Sequence, residues 1–68
     1  MPQNNYGVYK ENQDGTLQWV ITQDPLELTE PDETEGCINN LSESDAEELA
    51  GELGEGFRVG RPKNVPHH

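Results

Sequence analysis

The region from residue 6 to residue 22 contains the strongest local folding signal in this sequence. Its first half is aromatic and β-branched, and its second half places Leu17, Trp19 and Ile21 at alternate positions. Alternation with a period of two predicts strands that bury one face. Residues 12–15 between the halves end in Asp-Gly, a dipeptide that favours a tight hairpin turn. This region therefore predicts a β-hairpin.

Residues 42–53 predict a helix. Four apolar residues recur there at the spacing i, i+3, i+4 and i+7, which places them in one narrow stripe along a helix. They are Ala46, Leu49, Ala50 and Leu53. Either Ser42 or Ser44 is a suitable N-cap, and Gly54 follows the last apolar position, where helices commonly end in glycine.

The other segments complete a small α+β fold. Residues 56–61 alternate apolar and polar side chains and predict a third strand, whereas residues 23–40 are acidic and contain two prolines. The latter segment is either a mobile acidic loop or contains a short edge strand at Leu26–Leu28. We therefore predict one domain over residues 1–61 in ββαβ order, with the helix packed on a three-stranded antiparallel sheet, and a disordered tail over residues 62–68. The predicted core residues are Tyr6, Val8, Trp19, Leu49, Leu53 and Phe57.

The net charge limits the kinds of partner that this domain can bind. Leu, Ile, Val and Phe supply only 13 of the 68 residues, and the formal net charge is −10. This composition approaches that of disordered chains, so the core must be minimal. The charge disfavours direct binding to nucleic acid and to anionic membranes, and it favours basic proteins. Without an apolar run of about 18 residues or a signal peptide, a cytoplasmic location is expected.

No group of side chains predicts catalysis or a specific metal site. The only histidines, His67 and His68, end the chain and resemble the remnant of an expression tag. Cys37 is a single thiol, whereas structural zinc needs four ligands in paired clusters. We expect Cys37 to be a small buried apolar residue, and the protein to be a non-enzyme with no metal or other cofactor.

The acidity of the predicted helix lacks a structural explanation. Six carboxylates and no Lys or Arg lie between Glu43 and Glu55. Like charges at i,i+3 and i,i+4 destabilise a helix by about 0.2–0.5 kcal/mol per pair. At 1.5 Å of rise per residue, the segment presents about one carboxylate per 3 Å, close to the ~3.4 Å between phosphates along one DNA strand. Such uncompensated local violations are typical of functional surfaces.

We therefore predict a binding protein that docks its acidic surface onto a basic, nucleic-acid-binding protein and acts as an inhibitor or as a DNA or RNA mimic. The predicted contacts are a charge ladder, a loop patch and one aromatic anchor. The charge ladder is Glu43, Glu47, Glu48, Glu52 and Glu55, the loop patch is Glu30, Asp32, Glu33 and Glu35, and the anchor is Tyr9. In size, acidity and hairpin–helix order the chain resembles the short accessory proteins of phages and other mobile elements, some of which block host nucleic-acid-binding enzymes.

Two alternatives are consistent with the same sequence. In the first, the acidity only keeps a small domain soluble. In the second, the protein is a structural or assembly component whose hairpin edge pairs with a partner's sheet or with a second copy. Binding by a mimic weakens steeply as salt is raised, whereas strand pairing responds little. Salt dependence therefore separates the predicted function from the assembly role.

Overall fold

A four-stranded antiparallel sheet with one helix packed on it makes up the computed structural model, which describes residues 4–62. The strands are β1 (Gly7–Glu11), β2 (Leu17–Gln23), β3 (Leu26–Leu28) and β4 (Phe57–Gly60), and the helix α1 is Glu43–Leu53. The strand order across the sheet is β3-β2-β1-β4. The predicted α+β class is confirmed, with four strands rather than three because the short edge strand forms. Of the predicted tail, Pro62 is buried and residues 63–68 lie outside the described residues.

The predicted hairpin consists of β1 and β2, joined by a turn that side-chain hydrogen bonds reinforce. The Asn12 N–H donates to the Thr16 carbonyl at 2.8 Å, and Gly15 adopts φ 90, a value that glycine accepts without strain. The Asp14 carboxylate accepts hydrogen bonds from the Thr16 hydroxyl at 2.7 Å and the Thr16 N–H at 3.0 Å. Because these bonds favour the ionised form, they lower the pKa of Asp14 below its ordinary value.

The helix α1 begins after Ser42, one of the two caps that the sequence allowed. The Ser42 hydroxyl oxygen accepts a hydrogen bond from the Asp45 N–H at 3.1 Å. Ala46 and Ala50 are the buried residues of α1, and their small side chains let the helix backbone lie close to the sheet. The helix ends at Leu53, and the N–H of its C-cap, Gly54, donates to the Ala50 carbonyl at 3.1 Å.

The sheet buries side chains on both of its faces. Val8, Val20, Ala46 and Ala50 form the buried cluster on the helix face. Tyr6, Leu49, Leu53 and Phe57 are half-buried against this cluster, as predicted. Trp19 is only 1% exposed, yet it lies on the opposite face, because neighbouring residues of a strand point to opposite sides. There its ring contacts the Tyr9 ring, with centroids 4.9 Å apart. Val8 and Trp19 are therefore both buried, as predicted, but on opposite faces of the sheet rather than in one cluster.

Both strands of the hairpin are internal to the sheet. β4 pairs with the outer side of β1, and β3 pairs with the outer side of β2. The hairpin edges are therefore not available to a partner's sheet, contrary to the expectation for the assembly role. The strands at the two edges of the sheet are β3 and β4.

Candidate functional site

The carboxylates of the charge ladder are divided between two sides of α1 and the turn that follows it. Successive helix residues are rotated by about 100°, so residues at i, i+3 and i+7 share one side. The groove row is Asp45, Glu48 and Glu52, and the outer row is Glu43 and Glu47. Glu55 lies beyond the last residue of α1, in the turn before β4. The ladder is thus not one continuous line, and Asp45, which was not among the predicted contacts, belongs to the longer row.

The groove row borders a shallow groove of about 300 Å³ between α1 and the segment that precedes it. We call this the helix groove. Its apolar lining is Ile38, Leu41 and Leu49, all half-buried, and its polar lining is Asp45, Glu48, Glu52 and Gln23, all exposed. Apolar and acidic groups therefore lie side by side in one concave surface, the combination that a specific acidic interface requires.

Backbone hydrogen bonds position the segment that forms the far wall of the helix groove. Tyr6 and Leu41 exchange both backbone hydrogen bonds, at 2.9 and 3.1 Å, and the Ile38 N–H donates to the Val20 carbonyl at 2.9 Å. Glycine is required at residue 7, because a Cβ there would collide with the Ile38 carbonyl oxygen. Main-chain hydrogen bonds therefore hold this wall against β2 and against Tyr6, the residue before β1.

The three carboxylates of the groove row differ in how they are bound. Glu52 accepts a hydrogen bond from the Gln23 side-chain amide at 2.9 Å, which joins α1 to the end of β2. Within residues 4–62, the side-chain oxygens of Asp45 and Glu48 accept no hydrogen bond. Both side chains are exposed, so their carboxylate oxygens are accessible to a cation.

The loop patch lies along the outer side of β2. The Asp32 N–H donates to the Leu17 carbonyl at 2.7 Å, and the Leu17 N–H donates to the Asp32 carboxylate at 3.1 Å. Asp32 adopts φ 61, the left-handed conformation that Asp tolerates better than most residues. One of the four predicted contact residues thus uses its carboxylate within the fold.

Thr29, which the sequence reasoning did not select, connects β2 to the loop patch. It is 4% exposed, and its hydroxyl accepts a hydrogen bond from the Trp19 N–H at 2.9 Å and donates to the Glu33 carbonyl at 2.7 Å. Its own N–H donates to the Trp19 carbonyl at 2.8 Å. A threonine directly after a short strand carries no distinctive pattern, so the sequence contains no signal for this role.

The loop patch borders a second shallow groove, of about 610 Å³. We call this the loop groove. Its lining is Ile21, Leu28, Thr29, Pro31, Glu30, Glu33 and Glu35. Like the helix groove, it combines aliphatic side chains with three carboxylates. The two grooves reach β2 at Ile21 and Gln23, two positions apart on the same strand.

Tyr9 is not placed beside the carboxylates of α1. It is half-buried and stacked on Trp19, on the sheet face opposite the one that carries the helix. The apolar side chains beside the groove row are instead Ile38, Leu41 and Leu49.

Comparison of the chain with protein families, curated proteins and solved structures finds no match. Within residues 4–62, no three His, Cys, Asp or Glu side chains are grouped to hold a metal ion. Over the same residues, the structure contains no helix with the length and hydropathy that crossing a bilayer requires. Cys37 is a buried free thiol whose pKa is raised by burial, and His67 and His68 lie outside the described residues.

Proposed function

We propose that this protein is a non-enzymatic acidic binding protein that occupies the basic, nucleic-acid-binding surface of a partner protein, as an inhibitor or nucleic-acid mimic. The observation that supports the proposal most is the groove row beside the apolar lining of the helix groove. Exposed carboxylates accelerate and orient association with a basic surface, whereas desolvated apolar contacts supply most of the affinity. The helix groove offers both.

The groove row limits the length of nucleic acid that this surface can imitate to less than the whole charge ladder would. Its three carboxylates span seven residue steps, or about 10.5 Å along the helix axis. One DNA strand presents about four phosphates over that distance. Because the outer row faces another direction, a partner in the helix groove meets a short group of negative charges. The proposed target is therefore a compact basic site rather than a long nucleic-acid channel.

The test is capture of partners from nuclease-treated host lysate, with elution by a salt gradient and identification by mass spectrometry. Three proteins are compared as bait: the wild type, Glu48→Lys/Glu52→Lys, and Glu47→Lys/Glu55→Lys. The two variants change the net charge equally, but only the first alters the groove row. We expect the wild type and the second variant to capture a nucleic-acid-binding protein that the first variant does not, and added wild type to displace nucleic acid from it.

Equal capture by the two variants would contradict the proposal, because it would show that total charge, rather than the helix groove, determines binding. A partner that remains bound at high salt would favour the assembly role instead. That role would use β3 or β4, since backbone pairing is little affected by screening. Recovery of the bait alone would favour acidity that serves only solubility.

A further inference from the structure

We infer that the helix groove receives a basic amphipathic helix of the partner, an inference that rests on the proposed function. The groove row occupies positions i, i+3 and i+7 of α1, so its carboxylates are separated by about 4.5 and 6 Å along the helix axis. Cations at i, i+3 and i+7 of a second helix repeat these two distances. Side chains on the same face of an extended strand are instead separated by about 6.6 Å throughout. That spacing is close to the longer of the two carboxylate separations but not to the shorter.

The apolar lining favours the same occupant. Leu49 lies on α1 beside the groove row, and Ile38 and Leu41 lie across the groove from it. When one row of side chains on a partner helix faces α1, the neighbouring row on that helix faces the apolar lining. Amphipathic helices bind in grooves in this way. An aliphatic residue at i+4 of the partner helix therefore contacts the apolar lining while its cations contact Asp45, Glu48 and Glu52. The carboxylates of Asp45 and Glu48 accept no hydrogen bond from residues 4–62, and that of Glu52 accepts one from Gln23 through a single oxygen, so its other oxygen remains for a cation.

The experiment uses two synthetic peptides of identical composition, each held helical by a staple outside the contact face. The matched peptide carries arginine at i, i+3 and i+7 and leucine at i+4, and the scrambled peptide carries arginine at i, i+2 and i+5. Calorimetry measures the binding of both to the full chain. The same measurement is made on Glu48→Gln/Glu52→Gln and on Glu43→Gln/Glu47→Gln, two variants with equal charge.

We expect the matched peptide to bind more tightly than the scrambled peptide. We also expect Glu48→Gln/Glu52→Gln to weaken the matched peptide roughly tenfold, or about 1.4 kcal/mol, as two exposed ion pairs allow. Glu43→Gln/Glu47→Gln should leave it within about twofold of the wild type, because the outer row does not border the groove. Unfolding by urea verifies that both variants fold.

Equal affinity for the two peptides, or equal weakening by the two variants, would overturn the inference. The proposed function is still supported if capture of the partner requires Glu48 and Glu52. In that case the partner binds the helix groove with a structure other than a helix. Capture that is independent of Glu48 and Glu52 removes the proposed function itself. The two failures are therefore distinguishable.

Discussion

The acidic helix and the loop patch have similar composition, but the structure uses their charges differently. On α1, the carboxylates of Asp45 and Glu48 accept no hydrogen bond from residues 4–62, and that of Glu52 accepts one from Gln23. In the loop patch, the Asp32 carboxylate is bound to the β2 backbone, and the Glu33 carbonyl accepts the hydrogen bond from Thr29. On α1, the carboxylates of Asp45 and Glu48 therefore make no hydrogen bond within residues 4–62, whereas in the loop patch the Asp32 carboxylate and the Glu33 main-chain carbonyl bind the loop to β2 and to Thr29.

This difference separates the charges that are free to bind a partner from those that are needed to fold. Substitution of Asp32 in the loop patch is expected to reduce the free energy of unfolding, because it removes a hydrogen bond to the β2 backbone. Substitution of Glu48 by lysine in the groove row is expected to raise that free energy slightly while weakening binding. The following predictions test this contrast in order of decreasing effect.

Thr29→Val should produce the largest loss of stability. It removes the acceptor for the buried Trp19 N–H and the donor to the Glu33 carbonyl, and an unsatisfied buried group costs about 1–3 kcal/mol. Urea unfolding of wild type and variant measures this. Thr34→Val is the control, because Thr34 lies in the same loop without a side-chain hydrogen bond to residues 4–62. Equal losses in both variants would show that the Thr29 hydrogen bonds contribute nothing.

Asp32→Ala should lower the free energy of unfolding by about 1 kcal/mol, since it removes one hydrogen bond to the β2 backbone. Asp32→Asn is the matched control, because it keeps the acceptor oxygen and tolerates the left-handed conformation while removing the charge. If the two variants are equally destabilised, the charge and not the hydrogen bond is what matters at this position.

Glu48→Lys should raise the free energy of unfolding by a few tenths of a kcal/mol. Its like-charge contacts with Asp45 and Glu52 become attractive, and each such pair is worth about 0.2–0.5 kcal/mol. Thermal unfolding at low salt measures the change, which should shrink as salt is added. A loss of stability would mean that the groove row contributes to the fold, and the contrast with the loop patch would disappear.

Asp14 should give the smallest effect, and one that depends on pH. Its pKa is lowered in the folded state by hydrogen bonds from Thr16, so its stabilising contribution is present above the unfolded pKa, for which 3.8 is the ordinary value. The contribution is lost as pH falls through the lower, folded pKa. The difference in unfolding free energy between the wild type and Asp14→Ala should therefore diminish below about pH 3.8. If the difference in unfolding free energy stays constant with pH, ionised Asp14 does not stabilise the turn.

The elements whose formation is favoured by residues close to each other in the sequence were predictable. The Asp-Gly turn, the two strands that it joins, the helix α1 and the strand after it all follow from local patterns, and the structure confirms them. The candidate site was predictable only in part. The sequence predicted Glu48 and Glu52 as contacts, but it did not group them with Asp45, Ile38 and Leu41, two of which precede the predicted helix.

The sequence by itself determined where strands and helix form, because side-chain periodicity and capping act over a few residues. Only the tertiary structure decided that Trp19 and Val20 are buried on opposite faces of β2, since alternation marks two faces without saying what covers each. It also decided which carboxylates remain free. Asp32 reaches Leu17 across fifteen residues of chain, and Glu52 reaches Gln23 across twenty-nine. Such contacts form only when distant segments are brought together, so composition alone cannot distinguish a structural carboxylate from one that is free to bind.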